Sequence, residues 1–361
     1  MNVLYDHQIF SWQKYGGISR YFYELIKRVS VSERVDLYQG FHVNKYGLEK
    51  IGDFGKLFSC QKIELPKTGR IYEWINTAGL KCFARKSKAG IYHPTYYNDY
   101  CIDGKKLVVT VYDMIHELFP EYFVHDKATI AKKRVILKKA DGIIAISEAT
   151  KNDLVEILGL PPEKIDVVYL ANSLRLEVKE KSFFKEPYCL YVGNRGGYKN
   201  FLPMLEAFAI SKYAKDLKLV AFGGGAFDNK EISAIKHLNL MECVKQISGD
   251  DKLLANLYKY AEFFIYPSQY EGFGLPPLEA MYYGTPVICS DTSSIPEVVM
   301  DAALQFNPNN IDSMADAFNK ILSDDGLRKE LAVKGKKRER EFSWDRCAKE
   351  TIDVYKKVLE G

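Results

Sequence analysis

Short continuous apolar runs alternate with stretches of helical periodicity along the whole chain. In the first half the runs predict strands over residues 3–5, 35–38, 90–93, 107–112, 142–147 and 165–169. In the second half they predict strands over 188–192, 217–222, 244–247, 263–267, 286–289 and 303–306. Helical patterns lie between them, for example over 18–29 and 128–140, and again over 311–337 and 344–359. Strands apolar on both faces and separated by helices form parallel sheets covered on each side. Two such sets predict an α/β fold of two Rossmann-like, doubly wound domains. One closed (β/α)8 barrel would not leave the charged segment LRLEVKEKSFFKE, residues 174–186, between its units. The expected division is a first domain over 1–173, a linker over 174–186 and a second domain over 187–343. The final helix, 344–361, is expected to return to the first domain.

Open α/β sheets bind ligands outside the carboxyl ends of their strands, so the loops that follow strands carry the candidate chemistry. After residues 188–192 comes Gly193-Asn194-Arg195-Gly196-Gly197-Tyr198-Lys199-Asn200, and then a helix. Glycines admit a ligand close to the backbone, and a helix start offers unpaired N–H groups to an anion. Arg195 and Lys199 add a fork donor and a point charge, so the loop reads as a phosphate site. It is not a Walker A loop, because no Gly-Lys-Ser/Thr closes it. Gly223, Gly224 and Gly225 follow the next strand, and Ser248 and Gly249 the one after. The most specific segment is Glu271-Gly272-Phe273-Gly274-Leu275-Pro276-Pro277-Leu278-Glu279. Prolines suit a helix start, which puts Glu279 in the first turn and Glu271 in the preceding loop. A carboxylate accepts two hydroxyls of a vicinal diol, so two carboxylates across a glycine-rich loop match a sugar, an anion and a ribose in series.

These residues resemble retaining, family-4-like glycosyltransferases of the GT-B fold, in which two Rossmann-like domains face a central cleft. Glu271 through Glu279 looks like that family's Glu-x7-Glu signature, and Arg195 with Lys199 like its diphosphate-binding pair. Ser294-Ile295-Pro296-Glu297-Val298, Gly16-Gly17-Ile18-Ser19-Arg20-Tyr21 and Ile146-Ser147-Glu148 resemble further family segments. The likeness runs over nearly the whole chain and is looser over residues 40–90. It implies that Glu279 holds the ribose, and Glu271 the donor sugar. The amides of Gly272, Phe273, Gly274 and Leu275 would meet sugar and phosphate. Arg195 and Lys199 would balance the leaving diphosphate, Gly16 and Gly17 would close over phosphate, and Gly224 and Ser248 would line the nucleotide. Asp113, in Tyr112-Asp113-Met114-Ile115-His116, is the expected acceptor-side polar residue. Tyr112 departs from the family's histidine, and Tyr112, His116 and His93 are weaker acceptor-side candidates.

The resemblance implies a hexosyltransferase acting on a nucleotide-diphosphate sugar with retention of configuration. The Arg-x-x-Tyr-Lys-Asn form looks most like mannosyltransferases that use GDP-mannose. UDP-linked glucose, galactose or N-acetylhexosamine stay open as donors, and so does a nucleotide-sugar epimerase on the same scaffold. A glycan phosphorylase and a two-lobed solute receptor are more distant rivals. The acceptor would be a glycan or lipid-linked oligosaccharide of surface polysaccharide synthesis. No Asp-x-Asp occurs, so no metal site and no cofactor are expected.

Composition narrows the setting. Of 361 residues, 47% are hydrophobic and 27% charged, which excludes wholesale disorder. Through residue 172 the chain holds 25 basic and 20 acidic residues, and beyond it 26 and 27. The small excess is therefore N-terminal, too weak for duplex nucleic acid but compatible with an anionic ligand or lipid surface. The helix over 128–140 concentrates it in Lys132, Lys133, Arg134, Lys138 and Lys139, giving either a solvated face or a peripheral membrane contact. No apolar stretch is long enough to span a bilayer, and Asp6 and His7 interrupt any signal-like segment. Seven cysteines without a Cys-x-x-Cys read as reduced core thiols in a cytoplasmic protein.

Overall fold

A computed structural model describes residues 1–51, 56–61, 69–213 and 216–361. The chain forms two units, Met1–Leu170 with Trp344–Gly361, and Ala171–Ser343. Each is built on one parallel sheet.

The first sheet contains β1 (Asn2–Tyr5), β2 (Arg34–His42), β3 (Lys56–Gln61), β4 (Ile91–His93), β5 (Lys106–Val111), β6 (Gly142–Ala145) and β7 (Ile165–Val167). Their order is β3-β2-β1-β4-β5-β6-β7, with every pairing parallel. The order therefore reverses between β1 and β4. Apolar residues saturate the central strands because helices cover both faces. The helix Gly17–Ser32 turns Tyr21, Phe22, Leu25, Ile26 and Val29 inward, the stripe its 3.6-residue period dictates. The helix Trp344–Glu360 buries Cys347, Thr351, Val354, Tyr355 and Val358 in the same unit. The Tyr355 hydroxyl lies 2.8 Å from that of Tyr5 and 2.6 Å from His93 Nδ1.

The second sheet contains β8 (Tyr188–Val192), β9 (Lys218–Phe222), β10 (Val244–Ile247), β11 (Phe263–Tyr266), β12 (Val287–Ser290) and β13 (Leu304–Phe306). Their order, β10-β9-β8-β11-β12-β13, reverses between β8 and β11, and again all pairs are parallel. Phe201, Met204, Leu205 and Phe208 of one helix and Met314, Phe318 and Ile321 of another close one face of its core.

Four expectations change. Strand β3 and the helix Gly69–Lys86 were not predicted. As an edge strand, β3 leaves Phe58 half exposed, and Ser59, Cys60 and Gln61 are exposed as well. The helix buries only a narrow stripe, Asn76, Leu80 and Ala84, and its first member is polar. Asn76 accepts from Phe41 N at 2.7 Å and donates to Phe41 O at 3.0 Å. Residues 174–186 are not a free linker but lie on the second unit. Tyr283 Oη accepts from Leu176 N, Lys259 Nζ donates to Val178 O, and Asn256 Oδ1 accepts from Phe183 N. The cysteines are all free, but Cys60, Cys82 and Cys101 are exposed, so only some are core thiols. Among the described residues no helix is long and apolar enough to cross a membrane.

Candidate active site

In the second unit the loops after β8 and β11 flank the reversal of strand order, where an open α/β sheet forms its ligand crevice. These loops carry Arg195, Lys199 and Glu271. Lys199 ends a short turn, Gly197–Lys199, and its Nζ donates to Glu271 Oε1 at 2.7 Å. The pair joins residues 72 positions apart and brings a cation and a carboxylate to one place. Glu271 is held from below as well. Its N–H donates to Ser293 Oγ, and its carbonyl accepts from the hydroxyls of Ser293 and Ser294. Ser294 Oγ also donates to Phe273 O, so two serines clamp the backbone of the Glu271–Gly274 turn.

Arg195 is buried, and its guanidinium donates to groups of the same unit. Nε donates to Glu231 Oε1 at 2.7 Å, and one terminal nitrogen to Gly223 O at 2.7 Å. The other serves the carbonyls of Gly225 and Ala226 and the second oxygen of Glu231. The planar group lies beside the rings of Phe201 and Phe227, 5.7 and 4.9 Å from their centroids. A buried guanidinium needs its charge and its donors satisfied, and Glu231 with the glycine-loop carbonyls does both. Through these bonds Arg195 organises the loop after β9. Gly224 must be glycine there: its φ is +68°, and a Cβ would come within 2.5 Å of an Arg195 nitrogen and 3.0 Å of Gly193 O.

Glu279 sits in the helix Leu275–Tyr283, which begins at Leu275 because Gly274 supplies a left-handed φ of 114°. Glu279 thus falls in the second turn, not the first. Pro276 and Pro277 have no N–H, so in the first turn only Leu275 and Leu278 offer amides to an anion. Glu279 Oε2 accepts from the hydroxyl of Tyr258 at 2.9 Å. Burial, then the Glu279 charge, pushes the Tyr258 pKa far up, so this hydroxyl stays a donor. Tyr266 is raised in the same way by burial and then by Glu271. Each carboxylate therefore stands beside a protonated, buried tyrosine from the core. Phe273 turns its ring inward against Phe342, leaving only main chain for a ligand. Ser248 is exposed beyond β10 and accepts from Gln246 Nε2 at 2.9 Å.

In the first unit Gly16 and Gly17 open the helix Gly17–Ser32. Ser19 N–H is capped by Gln13 Oε1 at 3.2 Å. A Cβ on Gly17 would meet nothing within 4 Å, so no packing inside the unit demands glycine there. Asp113 follows β5 and is half-buried. Its Oδ1 accepts from Ile115 N, and its carbonyl from Lys133 Nζ at 2.8 Å. Lys133 is 0% exposed and also donates to Glu117 Oε2 at 2.9 Å. The predicted basic face is therefore broken: Lys133 points inward, and Lys139 Nζ donates to Asp99 O.

The three weaker acceptor-side candidates sit in packed surroundings. His93 is fully buried, with Nδ1 on Tyr355 and Nε2 on Thr110 Oγ1, so it has no surface for an acceptor. Tyr112 buries its hydroxyl without a partner and packs its ring edge-on to Tyr21. His116 packs on Phe123, with Nε2 4.0 Å from Asp126. Sequence reasoning missed Glu231, Tyr258, Tyr266 and Ser293, and it put Lys133 on a basic face. Only Glu231 had a local signal, the capping box Asp228-x-x-Glu231 that the structure forms.

The glycosyltransferase family 4 model matches residues 15–171, and the glycosyl transferases group 1 model matches residues 175–338. O-antigen chain mannosyltransferase B of Escherichia coli is 29% identical, over 94% of this chain and 96% of its own. Sucrose-phosphate synthase of Thermosynechococcus elongatus has a TM-score of 0.76 at 18% identity, with 99% of each chain covered. HepE of Anabaena, solved in complex with UDP-glucose, has a TM-score of 0.73 at 15% identity, with 100% of each covered. With both matched halves in sequence order and two parallel sheets of this topology, the chain belongs to the family-4-like glycosyltransferases of the GT-B fold.

Proposed function

We propose that this enzyme transfers mannose from GDP-mannose to a hydroxyl of a growing surface polysaccharide, with retention of configuration. The observation that carries the reading is the joining of Lys199 to Glu271 at the strand reversal, with Glu279 held by Tyr258 on the helix that follows. In this reading Glu279 accepts the ribose hydroxyls and Glu271 those of the donor hexose. Lys199 exchanges Glu271 for the diphosphate as the anomeric C–O bond breaks. The growing charge is met by Lys199 and the amides of Gly274, Leu275 and Leu278, which is electrostatic catalysis by preorganised groups. The acceptor oxygen bonds to the anomeric carbon on the face the diphosphate leaves, and its proton passes to the departing phosphate oxygen. The diphosphate needs no metal, and no other cofactor enters. Gly17 leaves open backbone for phosphate or acceptor, next to Gly16 against the Gln13 side chain, and Asp113 is the acceptor-side carboxylate. Mannose as the transferred sugar is supported by the O-antigen relative, which matches nearly end to end. The enzyme is placed by this reading at the inner face of the cytoplasmic membrane, where lipid-linked acceptors are built.

Incubation with GDP-mannose, UDP-glucose, UDP-galactose and UDP-N-acetylglucosamine tests the donor, with the anomeric configuration of the product read by NMR. Release of GDP coupled to an α-mannosyl product is expected, and release of UDP would replace the donor assignment. Glu279→Ala should weaken nucleotide binding by about 1.5–3 kcal/mol, the range for hydrogen bonds to a charged group. Lys199→Ala should lower kcat more than donor affinity, because its contact strengthens as the diphosphate leaves. Transfer that survives EDTA dialysis is expected, and loss restored by Mg²⁺ would contradict the charge balance.

A further inference from the structure

The first sheet has its own strand reversal, between β1 and β4, and the loops leaving these two strands line a pocket of about 130 Å³. A bound water needs roughly 10–15 Å³ of such space, so the pocket has room for a ligand many waters in size. We propose that this pocket binds a neutral pyranose of the acceptor saccharide, with Trp12, Tyr72 and Tyr100 as its ring surfaces and Glu73 and Asp99 as hydroxyl acceptors. The proposal rests on the transferase reading above and adds the acceptor's place and chemical class to it.

Three observations favour a saccharide over other ligands. The first is shape. Trp12 ends the short helix Gln8–Trp12 and is 51% exposed, with its ring held edge-on against Tyr96 at 5.2 Å. An exposed indole fixed in orientation is a platform for the apolar face of a sugar ring, and Tyr72 and Tyr100 line the same space.

The second is charge. Glu73 and Asp99 line the pocket, and Asp6 lies buried beneath it with no cation among its partners. Asp6 accepts from Gln8, Tyr92 and Thr95. The lining cation, Lys132, stands 3.7 Å from Glu73. Lys139 Nζ donates to the Asp99 carbonyl and Lys81 lies over the Tyr100 ring, so the lining carries no excess cation and its carboxylates accept hydroxyl protons.

The third is an unsatisfied group. His7 lines the pocket, is 3% exposed, and its buried Nδ1 has no hydrogen-bond partner. Burial holds this imidazole neutral, so it keeps one donor and one acceptor nitrogen, the pairing a sugar hydroxyl offers. The floor is rigid. Asn76 is fixed by Phe41 N and O and donates to Ser11 Oγ, while Asn98 donates to the Tyr92 hydroxyl. A site assembled on such supports is preorganised for its ligand.

Saturation-transfer NMR on the full chain tests the pocket, using methyl α-mannobiosides with the corresponding glucose and N-acetylglucosamine disaccharides and methyl phosphate as the anionic control. Saturation of a saccharide and none of methyl phosphate is expected, and saturation of methyl phosphate alone overturns the proposal. Trp12→Ala and Glu73→Gln change exposed side chains, and each should weaken that saccharide by at least about tenfold. In transfer assays the same variants should raise the acceptor KM by a similar factor and leave GDP affinity unchanged. No saccharide binding, or binding that both variants leave intact, overturns the proposal. Saccharide binding with no transfer from any nucleotide sugar would sink the transferase reading alone.

Discussion

Lys133 shows how far one side chain can depart from what its neighbours in sequence imply. It lies in a run of lysines and arginine, yet it is fully buried over the Tyr97 ring and bound to Glu117 and the Asp113 carbonyl. Glu117 Oε1 has no partner at all. The carboxylate therefore depends on one cation, and a buried charge left alone is costly. Lys133→Met should destabilise the first unit by about 3–5 kcal/mol, measured by urea unfolding. Lys133→Met with Glu117→Leu should recover most of that loss. A single substitution that leaves stability unchanged would show that water reaches this pair. The same residue ties down the main chain of Asp113, so packing and the candidate acceptor side are coupled through one ammonium group.

Among the elements, glycines at two helix or loop starts do opposite things. Gly224 is dictated from inside by its left-handed backbone and by Arg195 beneath it. Gly224→Ala should cost about 1–3 kcal/mol, the range for a residue held in a sparsely populated conformation. It should also displace the loop that Arg195 organises, lowering nucleotide affinity. Gly17 has open space around its missing Cβ and begins a helix. Gly17→Ala should be neutral or stabilising by up to about 1 kcal/mol, because alanine restricts the unfolded chain without strain. If a ligand approaches that backbone, the same change lowers transfer with stability intact. Thermal unfolding and turnover measured side by side on both variants separate these cases, and equal stability losses would contradict the structural distinction.

For the whole molecule, pH acts unequally on the two units. His93, His7 and His42 all lie in the first unit, and burial lowers the pKa of each, that of His93 to about 3. An unfolded histidine titrates near 6.5, so below that pH the unfolded state binds more protons than the native one. Stability from His93 is complete above pH 6.5 and is lost as pH falls from 6.5 toward about 3. Each unit of depression is worth roughly 1.4 kcal/mol. In the second unit burial raises Glu339, whose contribution is present at low pH and lost as pH rises through its folded value. Calorimetry from pH 7 to 5 should therefore show the first unit losing stability before the second. His93→Gln should flatten that dependence. Equal acid sensitivity of the units, or no change in His93→Gln, would refute the assignment.

The sequence by itself determined the elements whose physics is local. Apolar runs of strand length, helical stripes such as that of Gly17–Ser32, and the glycine-rich turns after strands required no knowledge of the rest of the chain. They also placed Lys199, Glu271 and Glu279 on the loops and helix where the structure has them. Strand β3 and the helix Gly69–Lys86 were illegible because an edge strand need not bury a face and Asn76 anchors through hydrogen bonds. Tertiary structure alone decided the partners. It assigned Arg195 to Glu231, Lys199 to Glu271, Tyr258 to Glu279 and His93 to the core. A motif specifies which charges a loop carries, but whether a charge faces solvent or a buried counter-ion depends on elements tens of residues away. Desolvation, which no local pattern records, settles that choice.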